Sequence, residues 1–143
     1  MMSSKPQQKI MDYKINQLGI VVKDMDKTTT FLEKLGIGPF PTIETDTPSG
    51  KIKIGIYQQG ELQIELIQPL QGNTIHAKFL KEKGEGLHHV SYHVKDIEKE
   101  LKKLEKLGIK IIERGEIFGV KYAYLDTQKQ CGFTLEIAQW PES

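Results

Sequence analysis

Apolar and polar residues alternate in short runs along this chain, and two stretches of helical spacing interrupt the alternation. Residues 15–22 put Leu18, Ile20 and Val22 on one face and Gln17, Gly19 and Val21 on the other, the period-two pattern of a half-buried strand. Asp24 then suits a helix N-cap; the predicted helix runs to about Leu35, where Gly36 and Gly38 end it and Pro39 and Pro41 keep the chain extended. Strands are predicted at residues 42–47, 51–58 and 61–68, with Ser49-Gly50 and Gln59-Gly60 as turns. A glycine-bounded linker with a short helix follows, and then the plan repeats. A strand at 87–94 leads to a helix capped by Asp96 and closed by Gly108, and strands follow at about 109–113, 120–126 and 132–139. The order is βαβββ twice, which predicts an α+β fold with mixed sheets and helices on one face.

The second half copies the first. INQLGIVVKDMDKTTTFLEKLGI (15–37) aligns without a gap on LHHVSYHVKDIEKELKKLEKLGI (87–109) at an offset of 72, with ten of 23 positions identical. IELIQ (64–68) likewise matches LEIAQ (135–139). A solenoid needs at least three stacked units, so two copies make a duplicated module. The duplication pairs Gln17 with His89 and Glu65 with Glu136. Strand alternation puts all four on the face the helices leave bare, and two such sheets facing each other would enclose a cleft. A carboxylate in the middle of a strand, flanked by apolar residues, calls for a partner. All four residue types can bind a metal.

The chain length of 143 residues suits one domain. We expect residues 1–12 to be a flexible tail and 13–143 a single domain, with module one at about 14–70, the linker helix at about 72–85 and module two at about 87–140. A net charge of +1 with interspersed signs argues against a nucleic-acid or acidic-membrane partner. No apolar run approaches the roughly 20 residues that span a bilayer, and the first residues lack an apolar signal core. The lone Cys131 excludes an intrachain disulfide and fits a cytoplasmic location; no base stands near it in sequence, so it is expected to be structural. Among the other histidines, His88 is expected on the helix-covered face, His93 on the cleft face and His76 on the surface of the linker helix. The lysines at 99, 102, 103 and 106 are expected to be solvated.

These residues resemble the vicinal-oxygen-chelate superfamily, which includes glyoxalase I, methylmalonyl-CoA epimerase, extradiol dioxygenases and the fosfomycin- and bleomycin-resistance proteins. The resemblance covers about residues 14–140. Its most similar members are methylmalonyl-CoA epimerases: GLHHVSYHVKDIEKELKKLEKLGIKII, IELIQPLQGNTIHAKFLKEKGEG and CGFTLEIAQ look like their corresponding stretches, linkers included. The resemblance implies a glyoxalase-like fold, two βαβββ modules forming a curved mixed sheet around a metal-binding cleft. It also implies that Gln17, Glu65, His89 and Glu136 are the metal ligands.

The match departs from the epimerases in two places. They usually carry histidine where this chain has Gln17, although the glyoxalase I of eukaryotes has glutamine there. They also tend to carry a glutamate in the turn that here reads DTPSGK, where Pro48 and Ser49 stand and Asp46 is the nearest acid. One imidazole nitrogen and three oxygens suit one divalent ion such as Zn, Ni, Co or Mn. Such an ion would stabilise charge developing on two substrate oxygens, and Glu136 is the expected base.

The implied activity is a metal-dependent isomerase or epimerase acting next to the carbonyl of a thioester, with a small-molecule substrate such as a CoA thioester and a homodimeric state. A glyoxalase I-like lyase is one alternative and a non-catalytic small-molecule binding or resistance protein another. Extradiol dioxygenase chemistry wants two histidines and one carboxylate, which Gln17 does not allow.

Overall fold

The computed structural model describes residues 14–142, so the N-terminal tail lies outside the described residues. The first module comprises β1 (Lys14–Val21), α1 (Met25–Lys34), β2 (Thr42–Thr47), β3 (Gly50–Gln59) and β4 (Leu62–Gly72). A linker helix, α2 (Ile75–Lys83), leads to the second: β5 (Gly86–His93), α3 (Ile97–Lys106), β6 (Ile111–Ile117), β7 (Val120–Leu125), a short α4 (Gln128–Cys131) and β8 (Thr134–Gln139). The one-turn α4 was not anticipated; Cys131, at its end, is exposed.

The duplication is visible in the caps. Asp24 accepts from Lys27 N at 3.1 Å and Asp96 from Lys99 N at 3.2 Å. Each helix also gains a cap from the last strand of its own module. Met25 N donates to Gln68 Oε1 at 2.8 Å, and Ile97 N to Gln139 Oε1 at 2.9 Å. These are the closing glutamines of the IELIQ and LEIAQ motifs, and they satisfy backbone donors that a helix start leaves open. At the other end Gly36 (φ 84°) and Gly108 (φ 80°) take the left-handed conformation. Ile37 N then reaches Leu32 O and Ile109 N reaches Leu104 O, both at 3.0 Å, which closes each helix with a Schellman turn.

The cleft is built from one sheet rather than two facing sheets. Its eight strands run in the order β2-β3-β4-β1-β5-β8-β7-β6. β1 lies parallel to β4 and β5 parallel to β8, while β1 and β5 pair antiparallel at the centre and join the modules. The sheet curls until its ends approach: Ser49 Oγ, in the β2–β3 turn, donates to Glu113 Oε1 on β6 at 3.0 Å. Helices α1 and α3 cover the convex face. Ile97, Leu101 and Leu104 of α3 pack on Ala123, Leu125 and Ile137. Met25 of α1 packs with Val22, Phe40 and Leu66. The concave face is left for the residues that the alternation turned away from the helices.

Candidate functional site: a four-residue cluster beneath an apolar cavity

The two central strands set the geometry. Gly19 lies opposite His89 across the β1–β5 ladder and beside Glu65 across β1–β4. Ser91 lies opposite Gln17 and beside Glu136. Each small residue therefore sits between two long side chains, which lean over it and meet. Register shifts between Ile15 and Gln17 and between Gly19 and Ile20 flank the site; such irregularities re-aim side chains.

The meeting point is His89 Nε2. Gln17 Oε1 and Glu65 Oε1 each lie 3.3 Å from it, and Glu136 Oε1 lies 3.7 Å away. Gln17 Nε2 donates to Gln63 Oε1 at 3.1 Å, which turns the amide oxygen toward the imidazole. His89 is fully buried, and Gln17 and Glu136 are nearly so. The other imidazole nitrogen, His89 Nδ1, is 2.9 Å from His88 Nδ1. One proton must lie between those two nitrogens.

Electrostatics assign it. Burial alone would depress His89, but the Glu136 charge, the Glu65 hydrogen bond and the Glu65 charge outweigh burial and raise it above its ordinary value. Burial and then the His89 charge push His88 down to about 3. His89 Nδ1–H therefore donates to a neutral His88. Burial pushes the Glu136 carboxyl up; the His89 charge opposes this, the Glu65 charge adds to it, and hydrogen bonds from Ser91 and Tyr124 hold the carboxylate form.

His76 corrects the sequence expectation of a surface position. It is 2% exposed, because the start of α2 packs onto the sheet at the cavity, with Ile75 against Tyr122, Tyr124 and Ala138, instead of lying on solvent. Its ring sits 5.0 Å from His88 and 5.7 Å from Tyr124, and its Nε2 is 3.4 Å from Tyr124 Oη. Burial, followed by the His88 and His89 charges, lowers it well below its ordinary value. His88 does face a helix, packing on Phe79 of α2 as well as on His76. His93 does not line the main cavity; it borders a second pocket with Trp140 and Lys14. Tyr124 was missed. It lies directly across the β7–β8 ladder from Glu136, a relation only strand register reveals.

These shifts carry a pH dependence. His88 and His76 have folded values below that of an unfolded histidine, so below pH about 6.5 the unfolded chain takes up protons that the fold refuses. Stability is full above that value and drains away as pH falls toward about 3 for His88. His89 works the other way, adding stability at low pH that is lost as pH rises through its raised value. Below pH about 6.5 the His89 contribution is already complete, so the two depressed histidines together should cost the metal-free protein up to about 2.7 kcal/mol per pH unit on acidification, and less where the raised Glu136 carboxyl takes up its own proton early. Urea unfolding across that range measures the slope; rising stability on acidification would contradict the assignment.

Two groupings could hold a cation. The ligand nitrogens of His76, His88 and His89 lie within 4.8 Å of one another, but that side of His89 holds no carboxylate to offset a divalent charge. The Nε2 side offers one nitrogen, an amide oxygen and two carboxylates, which suits a hard or borderline divalent ion better. That side also opens upward. A cavity of about 370 Å³ stands above it, with Glu65, Ser91 and Glu136 at its floor and isoleucines from β3 along one wall. Among the described residues no helix is long and apolar enough to cross a membrane.

Known proteins resemble this chain in sequence or in fold. The chain is 27% identical over 130 residues to the uncharacterized protein YqjC of Bacillus subtilis (strain 168), covering 88% of this chain and 91% of that protein. The crystal structure of the hypothetical protein BH1468 from Bacillus halodurans C-125 superposes with a TM-score of 0.76 at 28% identity, covering 93% of this chain and 98% of the other. Methylmalonyl-CoA epimerase from Mycobacterium tuberculosis superposes with the same TM-score of 0.76 at 19% identity, covering 90% and 88% of the two chains, a likeness of fold. Residues 16–124 match a family profile, and with the duplicated βαβββ modules this places the chain in the glyoxalase/bleomycin resistance protein/dioxygenase superfamily.

Proposed function

We propose that Gln17, Glu65, His89 and Glu136 hold one divalent metal ion, of the Zn, Ni, Co or Mn kind, and that the protein removes a proton next to the carbonyl of a thioester as an isomerase or epimerase. The observation that carries this is the convergence of three oxygens on one buried imidazole nitrogen at the floor of an open cavity. When bound, such an ion supplies Lewis-acid stabilisation of negative charge developing on two substrate oxygens.

The chain's own residues do the rest. Glu136 lines the cavity and takes the proton; its raised pKa moves it toward the operating range of a general base. Ser91 and Tyr124 hold its orientation by hydrogen bonds. His88 accepts from His89 Nδ1–H and so leaves Nε2 free to serve as a ligand, the role an outer partner plays for a ligating histidine. Gln63 does the same for the Gln17 amide.

A second reading is a glyoxalase I-like lyase acting on a thiol hemithioacetal. Gln17 favours it, because glutamine stands where the epimerase-like pattern has histidine.

The test begins with the metal. Nickel or cobalt at about 100 times its dissociation constant should stabilise the fold by about 2.7 kcal/mol. The loaded protein is then offered methylmalonyl-CoA in deuterated water, and a hemithioacetal in a parallel assay. Deuterium at the carbon next to the thioester carbonyl supports the isomerase, and hemithioacetal turnover the lyase. Neither, in fully loaded protein, would leave a binding or resistance protein.

A further inference from the structure

We infer that the substrate presents an uncharged, apolar body to the cavity, an aliphatic chain or ring with no carboxylate beyond the oxygens that face the metal site; this rests on the proposed function above and names its substrate class. The walls carry the argument. β3 turns Ile52, Ile54 and Ile56 into the cavity, Ile67 of β4 stands beside them, and Ile117 and Val120 add apolar surface from the second module. Among the described residues, none that lines the cavity is a lysine or arginine. The nearest cations in sequence, Lys51 and Lys53, alternate with these isoleucines and so point to the opposite face. Lys53 there lies 3.8 Å from Asp26 of α1. Among the described lining residues His76 is the one imidazole, and its Nε2 faces Tyr124.

Among the described lining residues the formal charges are the carboxylates of Glu65 and Glu136. They offset a divalent ion and leave nothing for a second anion. A carboxylate carried into this space would be buried unpaired, which is costly. Size points the same way. A dry apolar cavity of about 150 Å³ accepts benzene, and this one holds about 370 Å³. The apolar surface also continues to the mouth, where Ile43 is 48% exposed and Phe118 is 67% exposed. Phe118 stands in the left-handed region at φ 51°, which is unusual for a bulky residue.

Trp140 reports on occupancy, because it is the only tryptophan and it lines the cavity. The probes are S-hexanoyl-N-acetylcysteamine and its analogue ending in a carboxylate, titrated against metal-free and nickel-loaded full-length protein. We expect the neutral thioester to bind about tenfold or more tightly than the carboxylated one in both states. The variant Ile43→Lys, at a half-exposed edge position where the fold tolerates polarity, should narrow the gap by about two- to fivefold. Equal affinities, a reversed preference, or no response of Trp140 to either probe would overturn the inference. The preference is read without turnover. A preserved preference with no deuterium exchange would remove the enzymatic reading alone, and exchange without preference would remove the substrate class alone.

Discussion

Replacing Glu136 with glutamine should lower proton exchange and turnover by about 10²- to 10⁴-fold, the range for loss of a general base, while metal content is largely kept. Glutamine has the same shape, and its amide oxygen can still occupy a ligand position and accept from Ser91 and Tyr124, the partners of the native carboxylate. What it cannot do is take a proton. In the metal-free variant a second change should appear. The Glu136 charge is the largest influence raising His89, so the His89 imidazole should titrate at lower pH, as nuclear magnetic resonance can follow. Exchange at the native rate, with that histidine shift present, would show that another group is the base.

Gly19→Ala should cost about 100-fold or more in metal affinity, at or beyond the upper end for disturbing the support of a metal-ligating histidine. A Cβ on Gly19 would lie 2.0 Å from His89 Cε1, 2.2 Å from Nε2 and 2.4 Å from Nδ1, where real Cβ contacts stay above 3.0 Å. The ring cannot step aside easily. It is fully buried, with Tyr124 and His88 edge-on at 5.1 Å each. The backbone of Gly19 does not occupy the left-handed region, so the methyl group acts through the ring alone. Ser91→Ala is the matched control at the symmetry-related position. It keeps the Cβ and removes only a hydrogen bond to Glu136, a loss of about 1 kcal/mol. Calorimetric titration of both variants with nickel compares them; equal affinities would show that His89 does not need the space above Gly19.

The same residues separate what is local from what is not. The faces of Gln17, Glu65, His89 and Glu136 followed from a period of two, which is a property of each strand by itself. The helix ends at Asp24, Gly36, Asp96 and Gly108 were readable for the same reason, since a cap is a contact within a few residues. Gln68 and Gln139 stood in the repeated motif, yet their contacts with Met25 and Ile97 reach 43 and 42 residues along the chain. Their role was therefore invisible, although their pairing was not. The surface position expected for His76 failed similarly: a nine-residue helix shows no strong preference until its packing partner is known, and that partner is the sheet, through His88 of β5 and Tyr124 of β7.

By itself, the sequence determined the duplication, the βαβββ order, the helix boundaries and the four polar residues that share the bare face. Repetition and alternation are written into the chain and need no partner to be read. Only the tertiary structure decided that one curled sheet, and not two, carries the cleft, that the β1–β5 ladder sets Gly19 under His89, and that the β5–β8 ladder sets Ser91 beside Glu136. It also decided that Tyr124, His76 and the isoleucines of β3 close around the cluster. The reason is physical: alternation says which way a side chain points, but convergence depends on register and curvature between strands tens of residues apart. Those are fixed by packing summed over the whole sheet.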